Sequence, residues 1–207
     1  MLAYRDAKQR GNDGLFVFYN SGPYSGASQP HRHLQLLPVA RMRDGLDTVE
    51  GGDRWGVLAD AAAATAEGAE GVSILEGLPF LALKSRLGDH VDSNRLREVY
   101  LALYRRACVV AGVPREEAEK TEGEAAISYN LAMTAEAMVL CPRLAEGGAV
   151  MNKDGKEAGR VELNGTVLAG TALVKSEAEW AALRKDPGQL GRVLAGIGVV
   201  TGGTGAG

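Results

Sequence analysis

The 207-residue chain has little of what marks several specialised protein classes. Only 5% of its residues are aromatic, so a core must be built mostly from Leu, Val, Ala and Met. Its two cysteines, Cys108 and Cys141, fit no metal-ligand spacing and are no disulfide framework, which indicates reduced thiols. The chain has no apolar run of the roughly 18 residues that a membrane helix needs, and its first residues lack the apolar stretch of a signal peptide. We therefore expect a cytoplasmic protein, with the nucleus as the alternative, and no membrane partner.

The charge is also unremarkable and excludes one large class of partner. The net charge is −3 and the pI is about 5.7, whereas a nucleic-acid-binding protein would carry a basic footprint. A small phosphorylated ligand remains compatible, because it needs only a local positive potential. The glycine-rich fingerprints of Rossmann and P-loop nucleotide sites are both absent.

Strand-like and helix-like segments follow one another without a regular alternation. Residues 93–111 repeat apolar side chains at helical spacing, and Ser176 with Glu179 forms a capping-box pattern that opens a later helix. Strands are predicted over residues 14–19, 31–39, 127–133 and 136–141, the last two as a hairpin. Adjacent strands with helices set apart predict an α+β fold with an antiparallel sheet and flanking helices.

The domain organisation predicted from the chain is simple. Residues 1–195 are expected to form one domain that opens on a helix end over residues 2–10. Within it, residues 42–71 have the composition of a variable insertion, and the glycine-rich, charged residues 147–165 are predicted to be a loop. Residues 196–207 are predicted to be a disordered tail.

Two of the three histidines lie within one short segment. On a strand, residues two apart face the same way, so His31, His33 and Gln35 would line one face. The preceding loop contains Gly26 and Ser28, whose backbone N–H groups and hydroxyl can bind an anion. An imidazole with its second nitrogen held as a donor is a good nucleophile near pH 7, and its attack on phosphorus would give a phosphoramidate.

The histidine pair alone leaves other interpretations open. Two histidines could belong to a metal site, but such a site needs a third ligand, and the remaining histidine, His90, has no predictable position. The pair could also be ordinary core or surface histidines.

The longer segment around the pair carries a family resemblance. The stretch NSGPYSGASQPHRHLQLLPV over residues 20–39 resembles the signature of the diadenosine tetraphosphate phosphorylases, also called ATP adenylyltransferases, of the histidine-triad (HIT) superfamily. That branch carries His-x-His-x-Gln where the hydrolases carry a third histidine. Residues 129–143 and 164–180 also resemble the family. The resemblance implies a HIT-like antiparallel sheet with flanking helices.

The resemblance also implies roles for individual residues. The middle histidine of the motif is the nucleophile, which is His33, with Gln35 holding the adenylyl phosphate and His31 in support. The remaining implied contacts bind the nucleotide, and Lys175 supplies positive charge to the polyphosphate. These contacts are Asn20, Gly26, Ala27, Ser28, Gln29, Asn164, Gly165, Thr166, Thr171 and Lys175.

The implied reaction is reversible phosphorolysis of a dinucleoside polyphosphate through a covalent adenylyl-histidine. The expected small-molecule partners are diadenosine tetraphosphate, ATP, ADP and phosphate. A divalent cation, Mg²⁺ or Mn²⁺, is expected with the nucleotide, and no organic cofactor is expected.

Family members have a long region before the Asn-Ser-Gly-Pro segment, whereas here Met1 lies 19 residues before Asn20. We therefore expect the family's N-terminal region to be missing. The alternatives are a truncated nucleotide-binding domain with little catalysis and a HIT-type hydrolase.

Overall fold

A six-stranded antiparallel sheet and a separate two-stranded hairpin form the β structure. The computed structural model describes residues 14–48, 52–61, 71–120 and 122–200. The order of strands in the sheet is β2-β1-β5-β6-β4-β3, and β7 pairs with β8. The strands are β1 (Leu15–Ser21), β2 (Gln35–Pro38), β3 (Ser73–Ile74), β4 (Leu83–Arg86), β5 (Tyr129–Met133), β6 (Ala137–Pro142), β7 (Gly147–Met151) and β8 (Glu157–Glu162).

Helices flank the sheet, so the predicted α+β class is confirmed. None of the helices in the described part of the chain is both long and apolar enough to cross a membrane. The α-helices are α1 (Val39–Met42), α2 (Leu58–Ala61), α3 (Ser93–Val110), α4 (Arg115–Ala118), α5 (Glu177–Lys185) and α6 (Gly188–Gly196). Short 3₁₀ helices occupy Leu46–Thr48, Gly52–Arg54 and Gly165–Ala169.

The two faces of the sheet carry different apolar clusters, because side chains alternate along each strand. Phe16, Phe18 and Val139 belong to the cluster on one face, together with residues of the β7–β8 hairpin, α5 and α6. Leu131 and Leu140 belong to the cluster beneath α3 on the other face. The sheet is therefore the middle of three layers.

The longest helix, α3, forms as its sequence predicts. The buried positions Val99, Leu103 and Ala107 recur every four residues and face the sheet. The Asp92 carboxylate accepts a hydrogen bond from the Arg95 backbone N–H at 2.8 Å, which caps the first turn. The β5–β6 hairpin is also confirmed, with Leu131 opposite Leu140.

Two predictions differ from the strands that the structure contains. Residues 147–165, predicted to be a loop, contain the β7–β8 hairpin. Only Val150 and Val161 are buried within its two strands, so the sequence lacks the apolar alternation that identifies a strand. The strand predicted over 31–39 begins only at Gln35, opposite Phe18.

The segment from His31 to Leu34 lies outside β2, and local contacts explain this. The Nδ1 atom of His33 lies 3.2 Å from the carbonyl oxygen of His31, a contact that competes with pairing in a strand ladder. Pro30 just before it has no N–H to donate. Alternation along a strand therefore does not explain why the two imidazoles lie together.

The disordered tail predicted from residue 196 begins too early. Ile197 is fully buried, and its carbonyl accepts a hydrogen bond from the Leu144 backbone N–H at 2.8 Å. The Val199 carbonyl likewise accepts from Leu81 at 2.7 Å. Both residues thus supply main-chain acceptors to the packed domain. Residues 201–207 lie outside the described residues.

Part of the predicted insertion at 42–71 is described and contributes to the core. Val57 and Ala59 are buried in the same cluster as Phe16. Residues 49–51 and 62–70 of the insertion, and the helix end predicted over 2–10, lie outside the described residues.

Replacing Leu140 with alanine should destabilise the domain because the side chain is completely buried in β6 under α3. We expect the free energy of unfolding to fall by about 2–5 kcal/mol, as measured by urea denaturation. The matched control is Leu144→Ala, whose leucine is 56% exposed and should change stability by less than about 0.5 kcal/mol. Equal effects of both substitutions would contradict this packing.

Candidate functional site

Asn20 occupies the point where the histidine-containing half of the chain meets the C-terminal half. It lies near the end of β1, opposite Asn130 of β5. Its side-chain oxygen accepts hydrogen bonds from the Asn130 amide at 2.9 Å and from the Gly165 backbone N–H at 2.8 Å. Two segments predicted to bind the same ligand, around Asn20 and around Gly165, are thus joined directly.

A buried polar network continues inward from Asn20. Asn130 is fully buried and also donates to the Ser25 carbonyl at 2.8 Å, which fixes the loop after β1. The Arg143 guanidinium, 2% exposed, donates to the Asn130 side-chain oxygen. It also donates to the Leu163 carbonyl at 2.9 Å, just before the second segment. The Arg143 guanidinium thus supports both segments from below, through Asn130 and through the Leu163 carbonyl.

The charge of Arg143 is held by neutral oxygens. Besides Asn130 and Leu163, its guanidinium donates to the carbonyls of Ala145 and Glu146 at 2.8 and 3.1 Å. Burial lowers the pKa of Arg143, while Cys141 and the Glu146 carboxylate oppose that shift. Arginine keeps its proton at neutral pH, so a fixed positive charge lies beneath the two segments.

Gly26 and Gly165 bring the two segments into close contact. Gly26 has a φ of +71°, and a Cβ atom there would lie 2.6 Å from the Leu163 carbonyl oxygen. A Cβ atom at Gly165 would lie 2.7 Å from the ring of Phe18 and 2.9 Å from the Asn20 side-chain oxygen. Any side chain at either position would push the segments apart.

Asn164 and Thr166 form the first turn of the 3₁₀ helix Gly165–Ala169. The Asn164 side-chain oxygen accepts from the Thr166 backbone N–H at 2.9 Å and from its hydroxyl at 2.8 Å. Thr171 follows the helix, and its hydroxyl donates to the Thr166 carbonyl at 3.1 Å. These bonds hold the predicted binding residues of this segment in one rigid turn.

Two cavities flank the loop of residues 26–29. The first, which we name the His31 cleft, has a volume of about 520 Å³ and is lined by Asn20, Gln29 and His31 among others. The second, the Lys175 cleft, has a volume of about 240 Å³, and Asn164, Thr166 and Lys175 contribute to it. The two clefts share Ala27 and Ser28 as a common wall. A ligand longer than either cleft would have to cross that wall.

The two histidines lie side by side, and of the two only His31 contributes to the lining of the His31 cleft. Their ring centroids are 5.1 Å apart, with His31 exposed and His33 partly buried. The His31 carbonyl can only accept a hydrogen bond, so the contact with His33 Nδ1 requires a proton on Nδ1. In a neutral imidazole this leaves the His33 Nε2 lone pair available. Gln35 starts β2 on the same sheet face as Phe18.

Lys175 is engaged with Glu162 across the second cleft. The ammonium group donates to the Glu162 carboxylate, and both side chains are about half exposed. Their hydrogen bond, and secondly their charge attraction, raises the pKa of Lys175 and lowers that of Glu162. Glu146 is a second carboxylate on the lining of this cleft.

Sequence reasoning assigned no role to Asn130, Arg143 or Glu162. Asn130 and Arg143 carry a usable signal, namely a polar side chain inside an apolar strand and an arginine directly after one. Glu162 carries none, since a glutamate on a solvent-facing hairpin is ordinary. Across the described residues, no group of three or more His, Cys, Asp and Glu side chains is placed to hold a metal ion.

Arg143→Met should destabilise the domain, because it removes the donors that satisfy the Asn130 side chain and three carbonyls, of which that of Leu163 is buried and the other two are partly buried. We expect a loss of about 3–5 kcal/mol in unfolding free energy. Arg143→Lys, which keeps the charge and up to three donors, should lose less. The control Arg192→Met removes an exposed arginine and should cost at most about 1 kcal/mol. A loss no larger than that control would contradict the role of the network.

Family models match most of the described chain. Residues 76–200 match the model described as the ATP adenylyltransferase C-terminal domain, and residues 7–48 match the Ap4A phosphorylase N-terminal domain. The first range contains Asn130, Arg143 and Lys175, and the second contains the histidine pair. The network around Asn20 therefore joins segments that two separate family models describe.

A curated relative also indicates the Ap4A phosphorylases. Diadenosine 5',5'''-P1,P4-tetraphosphate phosphorylase 2 of Saccharomyces cerevisiae is 27% identical over 175 residues, which are 83% of this chain and 48% of that protein. The chain thus spans about half the length of this curated relative.

Solved structures confirm the HIT-like fold. The crystal structure of yeast Ap4A phosphorylase Apa2 in complex with AMP has a TM-score of 0.64 at 23% identity, covering 95% of this chain and 60% of that one. The complex with Ap4A has a TM-score of 0.62 at 21% identity, covering 90% and 55%. At this identity the likeness establishes the fold alone. Because the C-terminal domain model matches more than half of the chain, the protein belongs to the Ap4A phosphorylase (ATP adenylyltransferase) family.

Proposed function

We propose that this protein transfers an adenylyl group between a dinucleoside polyphosphate and phosphate through a covalent intermediate on His33. The observation that carries this proposal is the contact between His33 Nδ1 and the His31 carbonyl. It holds the imidazole in the tautomer whose Nε2 can attack phosphorus, as a nucleophilic histidine requires. His31 thus supports the nucleophile through its main chain.

The reaction proceeds in two balanced steps. Nε2 of His33 attacks the α-phosphorus of diadenosine tetraphosphate, a P–N bond forms, and the P–O bond to the bridging oxygen breaks to release ATP. An oxygen of inorganic phosphate then attacks the same phosphorus, the P–N bond breaks, and ADP leaves. Both steps exchange similar bonds, so the sequence can also run backwards from ADP and ATP.

Gln35 favours transfer over hydrolysis. Its amide can bind a non-bridging phosphate oxygen but cannot supply a proton to a leaving group, whereas a histidine could do so. A family relative that acts on Ap4A is consistent with this choice. The HIT-type hydrolase is the alternative that this argument disfavours.

The binding residues divide between the two clefts. The adenylyl group would lie in the His31 cleft against Asn20, Ala27, Ser28 and Gln29, and the rest of the polyphosphate would extend towards the Lys175 cleft. There Gly26, Asn164 and Thr166 would contact it, with the buried Gly165 positioning Asn20 and Thr171 holding the turn. Any Mg²⁺ or Mn²⁺ would arrive bound to the polyphosphate.

His33→Ala should abolish both adenylylation and turnover, with a loss of at least about 10³-fold in rate, because no other group would replace the nucleophile. Incubation with diadenosine tetraphosphate and phosphate, followed by chromatography of ADP and ATP, measures turnover. Without phosphate, intact mass should show one added AMP that acid removes. His90→Ala changes the exposed third histidine and serves as the control.

The outcomes separate the candidate functions. AMP release without phosphate would indicate the hydrolase. Nucleotide binding without turnover would indicate the alternative function, a nucleotide-binding domain with little catalysis. The chain spans about half the length of its curated relative, which is why this alternative is tested.

Gln35→His should add a phosphate-independent activity to the wild-type reaction, because the new imidazole can protonate the leaving group and assist water. We expect AMP to appear in phosphate-free buffer well above the wild-type level. The control is Gln35→Asn, which keeps an amide and should give no such AMP. Equal amounts of AMP from both variants would contradict the proposal that Gln35 favours transfer over hydrolysis.

A further inference from the structure

The charge balance of the Lys175 cleft opposes the binding role that the lysine would have. Among the described residues that line it, Lys175 is the one cation, while Glu146 and Glu162 are both carboxylates. The ammonium group is already bonded to Glu162. A polyphosphate entering this cleft would therefore meet one surplus negative charge on the side chains that line it, above the buried Arg143, and a lysine that already has a partner.

The ion pair is built so that it can be exchanged. Both side chains are about half exposed, so water and salt screen their attraction and the pair holds only weakly. Lys175 lies after the 3₁₀ helix and has a long, flexible side chain. Glu162 is the last residue of β8 and directly precedes Leu163. The ammonium can turn to a phosphate more easily than the carboxylate can move away with its strand.

We propose that Glu162 is a specificity-determining residue that competes with the ligand's polyphosphate for Lys175. This inference rests on the proposed function. A ligand whose phosphates stay in the His31 cleft does not need Lys175, so Glu162 leaves its affinity unchanged. A ligand whose chain crosses the wall of Ala27 and Ser28 must displace Glu162, and its affinity is held below what Lys175 alone would give.

The competition has a use in a reaction that must release charged products. A lysine that regains its own carboxylate when the polyphosphate dissociates returns the cleft to a paired state. Glu162 therefore lowers the affinity for the triphosphate product without affecting the adenylyl group next to His33.

The test uses two probes that His33 cannot cleave, AMP and α,β-methylene-ATP, and measures their dissociation constants by calorimetry at low salt. Glu162→Gln should tighten α,β-methylene-ATP about two- to fivefold, the scale of an exposed ion pair, and leave AMP unchanged. Lys175→Met should weaken α,β-methylene-ATP and also leave AMP unchanged. In the double variant the gain from Glu162→Gln should vanish.

Glu157→Gln is the matched control, since it removes the same charge from the same strand at an exposed position outside the cleft. An equal gain in that control, or a gain that persists with Lys175→Met, would show a general charge effect and overturn the proposal. Unchanged binding of α,β-methylene-ATP in Glu162→Gln would also overturn it, while the proposed function would stand. Failure of the wild-type protein to bind either probe would instead count against the proposed function.

Discussion

The Arg143 guanidinium donates hydrogen bonds to Asn130 and to main-chain oxygens before and after the β7–β8 hairpin, and the geometry of the candidate site depends on these bonds. Through Asn130 the same cation holds Asn20 and the loop at Ser25. A buried cation without hydrogen bonds would be costly, so the surrounding segments have one arrangement that satisfies it. That arrangement brings Asn20 and the loop that precedes the histidines against the turn at Gly165.

The charges of the site lie at two depths. Arg143 is a fixed positive charge in a medium of low polarity, so its potential reaches the clefts with little screening. Lys175, Glu162 and Glu146 lie at the surface, where water and salt reduce their influence. The deep charge would favour a phosphate near the loop, and in our proposal the surface charges distinguish one phosphorylated ligand from another.

The sequence was informative where one face of an element is apolar. The alternation in β5, the continuous apolar run of β6 and the helical repeat in α3 predicted elements that the structure contains. It failed for the β7–β8 hairpin, which buries only two valines in its strands, and at His31–Leu34, where a side chain bonds to its own segment. The loop at residues 26–29 could be predicted as part of the site from its motif. Arg143 could be singled out as an arginine after an apolar strand, but its partners, and any role for Glu162, depend on contacts between distant residues that no local pattern records.

Those distances along the chain have a consequence for how the protein folds. The hydrogen bond between Gly165 and Asn20 joins residues 145 positions apart, and the bond between Asn130 and Ser25 joins residues 105 apart. Closing such long loops is slow, so contacts of this kind form late, after local elements such as α3 and the β5–β6 hairpin. We therefore expect the clefts to form only in chains that have nearly completed folding. Partly folded chains would lack nucleotide affinity, and a bound nucleotide would stabilise the whole domain rather than its rim.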